Sequence, residues 1–388
     1  MSKLKKVVEK FRELHKDEPL VVRSPGRINL IGEHTDYNMG YVLPGAIEKN
    51  VFLAIGLRPD MDVNIFAADY GDHYVTSLDG LTSAWKLWPN YILGVLNELK
   101  KRGVLLCGVN IVLGGDIPLA AGMSSSAAVT CATAFALNEV FDLGLSKIEL
   151  AKLAQAAEHD FVGVKCGLMD QFASLHGKKD HLIKLNCKTN EFEYIPFNSS
   201  EVSIVLFDTG VKHHLISSAY NDRRSECQRG IDIIKQNEPA VKDLADVTDE
   251  MLDKYLKLSN PLVYNRCLYV VEEMTRLKSA CGDLERNNYA ALGGRMFETH
   301  HGLKHLYEVS CKECDFLVDF AVGNSYVMGA RMMGGGFGGC TINLISSGRV
   351  DDVIAEVRPR YKNEFGKELK VYPAVLSDGT RLENLISV

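Results

Sequence analysis

Residues 109–140, VNIVLGGDIPLAAGMSSSAAVTCATAFALNEV, constrain the fold more than any other stretch. They read as a strand, a Gly- and Pro-containing turn, and a long helix opening near Ser125 and running to Val140. Gly122 permits close backbone approach, the first-turn N–H groups have no partner inside the helix, and the helix dipole is positive there. The geometry therefore favours an anion. Hydroxyls at Ser124, Ser125 and Ser126 can add donors to a phosphate or a ligand to Mg2+. The alternative is an ordinary serine-capped helix after a turn. The chain has no G-x-x-x-x-G-K-[ST] and no H-R-D or D-F-G set, so a nucleotide held here is held in neither the Walker nor the protein-kinase manner.

Around this unit the periodicity changes several times. An amphipathic N-terminal helix precedes short strands over residues 20–79 (VVRSPGRINLIG, YVLPGAI, NVFLAIGLRP, VNIFAAD, HYVTSL) broken by Gly, Pro, Asp and Asn. The pattern NYILGVLNELKKRG is helical. Ser146 and Glu149 form a capping box for the helix SKIELAKLAQAAEHDF, with Gly163 just past its end, and LMDQFASLHG starts another helix. A hairpin-like pair, HLIKLN and EFEYIPF, leads to the polar run NSSE at 198–201, where a domain boundary is expected. Beyond it lie the strand VSIVLFDTG, several amphipathic helices, the strands YVMGARMM and CTINLIS, the helix DDVIAEVRPRY and the strand LKVYPAV. Strands and helices in non-alternating order predict an α+β fold.

Residues 23–48 gather Arg27, Glu33, His34, Asp36 and Tyr37 in and beside one turn. Carboxylates and an imidazole on a loop can bind several hydroxyls of a sugar, and an arginine can stabilise phosphoryl oxygens or orient a base. A solvated hairpin with a surface ion pair is the alternative. Asp170, in CGLMDQF, is expected near a helix N-terminus, which favours its ionised form. It can accept a hydroxyl proton or orient that hydroxyl; phosphoryl transfer needs positioning and charge stabilisation more than proton removal. The alternative is a helix-terminal charge with no further role. Glu158 on the preceding helix could complete a Mg2+ site with Ser126, or lie exposed on a helix surface.

The run GGGFGG at 334–339 satisfies G-x-G-x-x-G formally but lies between two strands and opens no helix. A ligand-lining turn or hairpin connection suits it better than a dinucleotide site. Cys311-x-x-Cys314 with His301 and His305 offers Cys2His2 zinc, but in an unusual order and with both histidines on one helix-like stretch, so no zinc is assigned.

With 388 residues the chain is long enough for two domains. Its 46% hydrophobic and 24% charged residues are those of ordinary globular chains, which disfavours disordered and fibrous classes. A net charge of −6 without a dominant Lys/Arg block gives no pull toward nucleic acid or an anionic membrane. Neither a signal peptide nor an apolar run of membrane-spanning length is visible, so a cytoplasmic location is expected. The 10 cysteines are expected to be reduced and no disulfide is assigned.

Four ordered segments together resemble the galactokinases of the GHMP small-molecule kinase superfamily. PGRINLIGEHTDYNMGYVLPGAI resembles the galactokinase signature, PLAAGMSSSAA the nucleotide-phosphate motif, CGLMDQ the catalytic Asp segment and MMGGGFGGCTI the third superfamily motif. The resemblance runs almost the whole length. It implies transfer of the γ-phosphoryl of Mg·ATP to the C1 hydroxyl of galactose. It implies a ribosomal-S5-like α+β domain at 1–198 (sugar signature 23–48, ATP loop 114–128, catalytic segment 166–172). The resemblance likewise implies a ferredoxin-like α+β domain at 199–388 carrying the Gly-rich motif 332–341, with the active site between the two.

Residue by residue, Arg27 takes the position of the transition-state arginine and Asp170 that of the catalytic aspartate. Glu33, His34, Thr35, Asp36 and Tyr220 match sugar-binding positions. Ala120, Ala121, Gly122, Met123, Ser124, Ser125 and Ser126 match the ATP loop. Ser126 and Glu158 match the Mg2+ positions, and Trp88 in WPNY the adenine-side aromatic. Ser24, Met123 and Ala128 depart from the usual alanine, leucine and serine without removing a polar catalytic group. An N-acetylgalactosamine kinase and a non-catalytic galactose and ATP sensor are the alternatives. The EHTDYN wording resembles the galactose enzymes, and Ser125, Ser126 and Ala127 are present where the sensors are shortened. A monomer rather than an obligate oligomer is expected.

Overall fold

The structure, a computed structural model, describes residues 1–118, 121–211 and 216–384, and of residues 216–218 the backbone only. A mixed six-stranded sheet runs in the order Arg381–Leu382, Leu20–Asn29, Pro44–Leu57, Val109–Gly115, Asp62–Ala67, Asp72–Ser77. Its pairs are antiparallel except Val109–Gly115 with Asp62–Ala67. The N-terminal helix Lys3–His15 buries Val7, Val8 and Phe11 on one face, against Val21, Phe52, Ala54 and Val112. The helices Asn90–Lys101, Ser125–Val140, Lys147–Ala157 and Met169–His176 contribute to the main core together with the same strands. Ser125–Val140 suits a crowded position because it presents small side chains, among them Ala127, Ala128, Ala132 and Ala136, all buried.

A second, antiparallel four-stranded sheet has the order Val327–Met333, Cys340–Ser346, Val202–Asp208, Lys370–Ala374. Tyr289–His305 packs on its first strand, and Lys312–Val322 and Val350–Phe365 share a core with the sheet. A small sheet joins Tyr41–Val42 to the hairpin His181–Asn186 and Phe192–Pro196. The expected α+β architecture is observed. The C-terminal pair Arg381–Leu382 returns to the first sheet, where Arg381 stands opposite Arg23. The main core likewise takes Val202, Ile204 and Leu206 together with Ile28 and Leu53.

Two expected features take more specific forms. The Ser146 and Glu149 capping box forms, but its helix ends at Ala157 and widens into one π turn, Glu158–Val162. Gly163 and Val164 N–H both return to the Glu158 carbonyl, at 2.9 and 3.0 Å. Such turns are frequent at functional sites, and this one begins at the buried Glu158. The run 334–339 is the connection between antiparallel strands and opens no helix.

The helix Tyr289–His305 lies so close to Val327–Met333 that a Cβ on Gly293 would stand 1.8 Å from the Met328 carbonyl oxygen. Backbone cannot retreat as a side-chain tip can. Gly293→Ala should therefore destabilise the fold by about 1–3 kcal/mol or more, read as a lower denaturant midpoint at unchanged slope. An unchanged midpoint would show that this contact does not set the helix's position.

Candidate active site

Segments distant in sequence meet in one cleft of about 620 Å3. Arg27, Glu33, His34 and Asp36 line it from the first long strand and the loop after it, Ser126 from the serine helix, and Glu158 from the π turn. Asp170, Tyr220 and Gly334 complete the wall. A β-bulge between Pro25 and Arg27 shifts the register of Leu20–Asn29, which re-aims the arginine. Its guanidinium clasps Asp170 through two parallel bonds, Nε to Oδ1 at 2.7 Å and Nη2 to Oδ2 at 2.9 Å. Nη1 donates to the Gly122 carbonyl, and the Arg27 N–H to the Met123 carbonyl. Ser124, in left-handed backbone at φ 55°, donates its hydroxyl to Asp170 Oδ2. The serine turn, the bulged strand and the helix Met169–His176 are thereby tied at one carboxylate. That carboxylate keeps 24% of its surface exposed against 6% for Arg27, so the acid is the member open to a ligand.

The segment bearing Asp170 also touches the loop bearing Asp36. A Cβ on Gly167 would lie 1.9 Å from Asp36 Oδ2. Any side chain there would force apart the two segments that this cleft needs side by side.

Charge in the cleft is unbalanced. Asp36 is pushed up to about 7, by burial first and then by Asp170. Glu158 is also pushed up to about 7, by burial, while hydrogen bonds from Gln171, Ser126 and Thr130 oppose the shift. Gln171 Nε2 donates to Glu158 Oε1 at 2.8 Å and Thr130 Oγ1 at 3.3 Å. For Arg27, burial opposes the charge but Asp170, Glu33 and Asp36 outweigh it, so it is held above its ordinary value. His34 is driven down to about 3 by burial and by Arg223 and Arg331, and is neutral at physiological pH. Its Nδ1 pairs with Tyr37 Oη at 2.8 Å, which pairs with Tyr307 Oη at 2.8 Å. Its buried Nε2 has no partner among the described residues. A neutral imidazole with one nitrogen committed and the other free is suited to a sugar hydroxyl.

A second cavity of about 420 Å3, with fewer charged residues in its wall, adjoins the first, lined by Trp88, Tyr91, Gly114, Ser125, Ser126 and Val129 among others. Tyr91 and Ser126 line both cavities. Trp88 is half-buried, and its Nε1 donates to Asp72 Oδ2 at 2.9 Å. A flat base can lie against this wall while a phosphate chain passes Ser126 toward Asp170.

Not every candidate reaches the cleft. Thr35 is fully buried, with its hydroxyl donated to the Gly32 and Tyr41 carbonyls, so it braces the loop. Ala121 and Met123 are buried in the core, Gly122 meets Arg27 through its carbonyl, and Ala120 lies outside the described residues. Tyr91, Cys166, Gln171 and Gly335 line the main cleft without having been singled out. Tyr91 is the last residue of the motif WPNY and Gln171 the last of CGLMDQ, which was the available signal. Cys311 and Cys314 begin the helix Lys312–Val322, where Cys314 Sγ faces the Gly338 carbonyl at 3.8 Å under the Gly-rich hairpin. The His301 and His305 rings lie tilted against each other on the neighbouring helix, 4.5 Å between centroids.

Three family models match segments of the chain. Residues 9–57 match the family model described as the galactokinase galactose-binding signature, residues 90–178 that of the GHMP kinases N terminal domain, and residues 280–363 that of the GHMP kinases C terminal. The galactokinase of Thermotoga petrophila is 42% identical over 93% of this chain and 99% of its own length. That of Fusobacterium nucleatum is 36% identical over 97% and 98%. The crystal structure of Lactococcus lactis galactokinase complexed with galactose superposes with TM-score 0.92 at 33% identity, covering 97% of this chain and 99% of that one. Mevalonate kinase from Methanococcus jannaschii shares the fold, with TM-score 0.63 at 17% identity over 94% and 100%.

The raised Asp36 carboxyl predicts a pH signature. Below pH about 4 the group is protonated whether the chain is folded or not. Between there and pH about 7 the unfolded chain ionises it and the folded chain does not, so stability is lost as pH rises through this window. Asp36→Asn should remove that loss. The stability of the variant relative to the parent should climb between pH about 4 and about 7, by a few kcal/mol at most, and then level off. Denaturant titrations at several pH values measure it, and a flat difference would count against the shift.

Proposed function

The chain belongs to the galactokinases, within the GHMP kinases, and from that premise we propose how its cleft transfers the γ-phosphoryl of Mg·ATP to the C1 hydroxyl of galactose, giving galactose 1-phosphate and ADP. The observation that carries the reading is that Ser126 lines both cavities, while Arg27, Asp170 and the Glu33 to Asp36 loop stand in the one beyond it. A nucleotide in the cavity beside Trp88 would extend its phosphates past Ser126 toward a hexose in the cleft that holds Asp170.

In this reading Glu33, His34, Asp36 and Tyr220 hold the sugar and Thr35 shapes their loop. Trp88, Ser125 and Ser126 hold the nucleotide, with the turn from Ala121 to Ser124 positioning the two serines. Asp170 orients the attacking hydroxyl and takes its proton as the bond to phosphorus forms. A carboxylate already held by Arg27 and Ser124 is a weak base, and orientation is the larger part of its work. Arg27 stays charged throughout and offsets negative charge on the phosphoryl oxygens in the transition state.

Ser126 and Glu158 would hold Mg2+, which neutralises phosphate charge. They suit it: Mg2+ takes few protein ligands and keeps water, and burial penalises the Glu158 carboxylate in a way that a nearby cation relieves. Among the described residues no cluster of three or more His, Cys, Asp or Glu forms a metal site by itself. We also take the protein to act as a cytoplasmic monomer. It divides near residue 198 into the 1–198 and 199–388 units, with the C-terminal strand returned to the first sheet. Among the described residues no helix is long and apolar enough to cross a membrane.

Coupled ADP release tests the reading directly. Galactose should support turnover, with N-acetylgalactosamine, glucose and mevalonate at least about tenfold poorer in kcat/KM. Turnover of N-acetylgalactosamine above that of galactose would transfer the assignment to that sugar, and no ADP release with any of them would remove catalysis. In the same assay Ser126→Ala should move the Mg2+ titration to higher concentration. An unmoved titration would take Ser126 out of the metal site.

A further inference from the structure

The loop that carries Glu33, His34 and Asp36 is gripped from the C-terminal half of the chain. Glu273, fully buried on the helix Pro261–Glu285, accepts the Gly32 N–H at 2.8 Å. Tyr269 Oη donates to the Glu33 carbonyl at 3.1 Å. The firmest hold is Arg331, which lies on Val327–Met333 just before the Gly-rich hairpin and has no exposed surface. Its Nε donates to the Leu30 carbonyl at 2.9 Å and its Nη2 to the Asn29 carbonyl at 2.5 Å. Its Nη1 donates to the Met332 carbonyl at 2.6 Å and to Glu33 Oε1 at 3.0 Å. The Gly334 N–H reaches the same Glu33 oxygen at 2.8 Å.

Both of these donors converge on Oε1. Glu33 Oε2 takes no hydrogen bond from the described residues, and Glu33 lines the sugar side of the cleft. We propose that Arg331 is a positioning residue for sugar selection: by locking Oε1 it fixes Oε2 as a rigid acceptor for one hydroxyl of the hexose. This inference rests on Glu33 being a sugar ligand.

The chemistry requires an arginine. Four acceptors on two chain segments are met by one planar fork, and a lysine has three donors radiating from a single point. Glu33 is 2% exposed. A carboxylate so buried is costly without a paired charge, so the same contact that orients it also keeps it tolerable in the cleft. A fixed buried acceptor rejects an analogue that lacks its hydroxyl far more strongly than a mobile one does, because the lost partner leaves it unpaired.

The test uses galactose and the monodeoxygalactose series, with kcat and KM measured separately. Glu33→Gln identifies the hydroxyl: the ratio of galactose to one analogue should collapse while the other ratios hold. Arg331→Lys should then raise the galactose KM about tenfold or more. It should leave the KM of that one analogue within about twofold, with kcat for galactose changed less than KM. The double variant Arg331→Met with Glu33→Gln removes both charges together. It keeps the test available if the lysine variant does not fold, and its ratio should equal that of Glu33→Gln alone. An equal rise in KM for every sugar, or no change, in Arg331→Lys would show that Arg331 only supports the fold. So would a double variant whose ratio differs from that of Glu33→Gln. No selective loss in Glu33→Gln would overturn the proposal at its premise, and is read from a different variant.

Discussion

The two-pronged pairing of Arg27 with Asp170 is the constraint around which the rest of the molecule is arranged. It joins a bulged strand of the first sheet to a short helix 143 residues later. The Gly122 carbonyl and the Ser124 hydroxyl bring the serine turn onto the same two side chains. An ion pair with a nearly buried arginine is not valuable for stability by itself, since desolvation offsets much of the attraction. Its value lies in geometry. It holds a carboxylate in the cleft that shares Tyr91 and Ser126 with the second cavity, and it anchors the balancing cation on the Gly122 carbonyl of the serine turn.

Around this pair the cleft carries more negative than positive charge. Asp36 and Glu158 are both driven to about 7, so each is partly protonated near neutral pH. In the proposed reaction the imbalance has a use. Sugar hydroxyls can donate to Asp36, and a divalent cation beside Glu158 restores its charge, so each ligand relieves a cost already present in the fold. The neutral His34, whose Nε2 has no partner among the described residues, adds a hydroxyl partner that brings no further charge. Phosphoryl transfer relies on fixed charge and position, and both are present before any ligand arrives.

What sequence could reveal divides along physical lines. Local pattern located the serine helix, the Ser146 capping box and the antiparallel hairpin at 181–196, because periodicity, caps and turns are short-range. The site motifs were readable where several polar groups crowd one segment, as in EHTD, or where a glycine and serines open a helix. Other features depend on distant partners. Arg331 looks like any strand residue in GARMM until its acceptors at Asn29, Leu30 and Glu33 are seen some 300 positions away. The strand Arg381–Leu382 is two residues long and has no periodicity to detect. Thr35 sits amid the sugar motif, and only its bonds to the Gly32 and Tyr41 carbonyls show that its hydroxyl is already committed. Tyr91 joins the two cavities, which adjacency to Trp88 hints at and only packing reveals.

The most direct test of the central claim is a double-mutant cycle on kcat with Arg27→Met, Asp170→Asn and the combined variant. If the pair acts as one unit, the combined variant should lose no more than about as much as the worse single variant. The coupling should then lie within about 0.5–3 kcal/mol, the range for contacting residues. Losses that simply multiply, or an Asp170→Asn enzyme turning over near the parent rate, would contradict it.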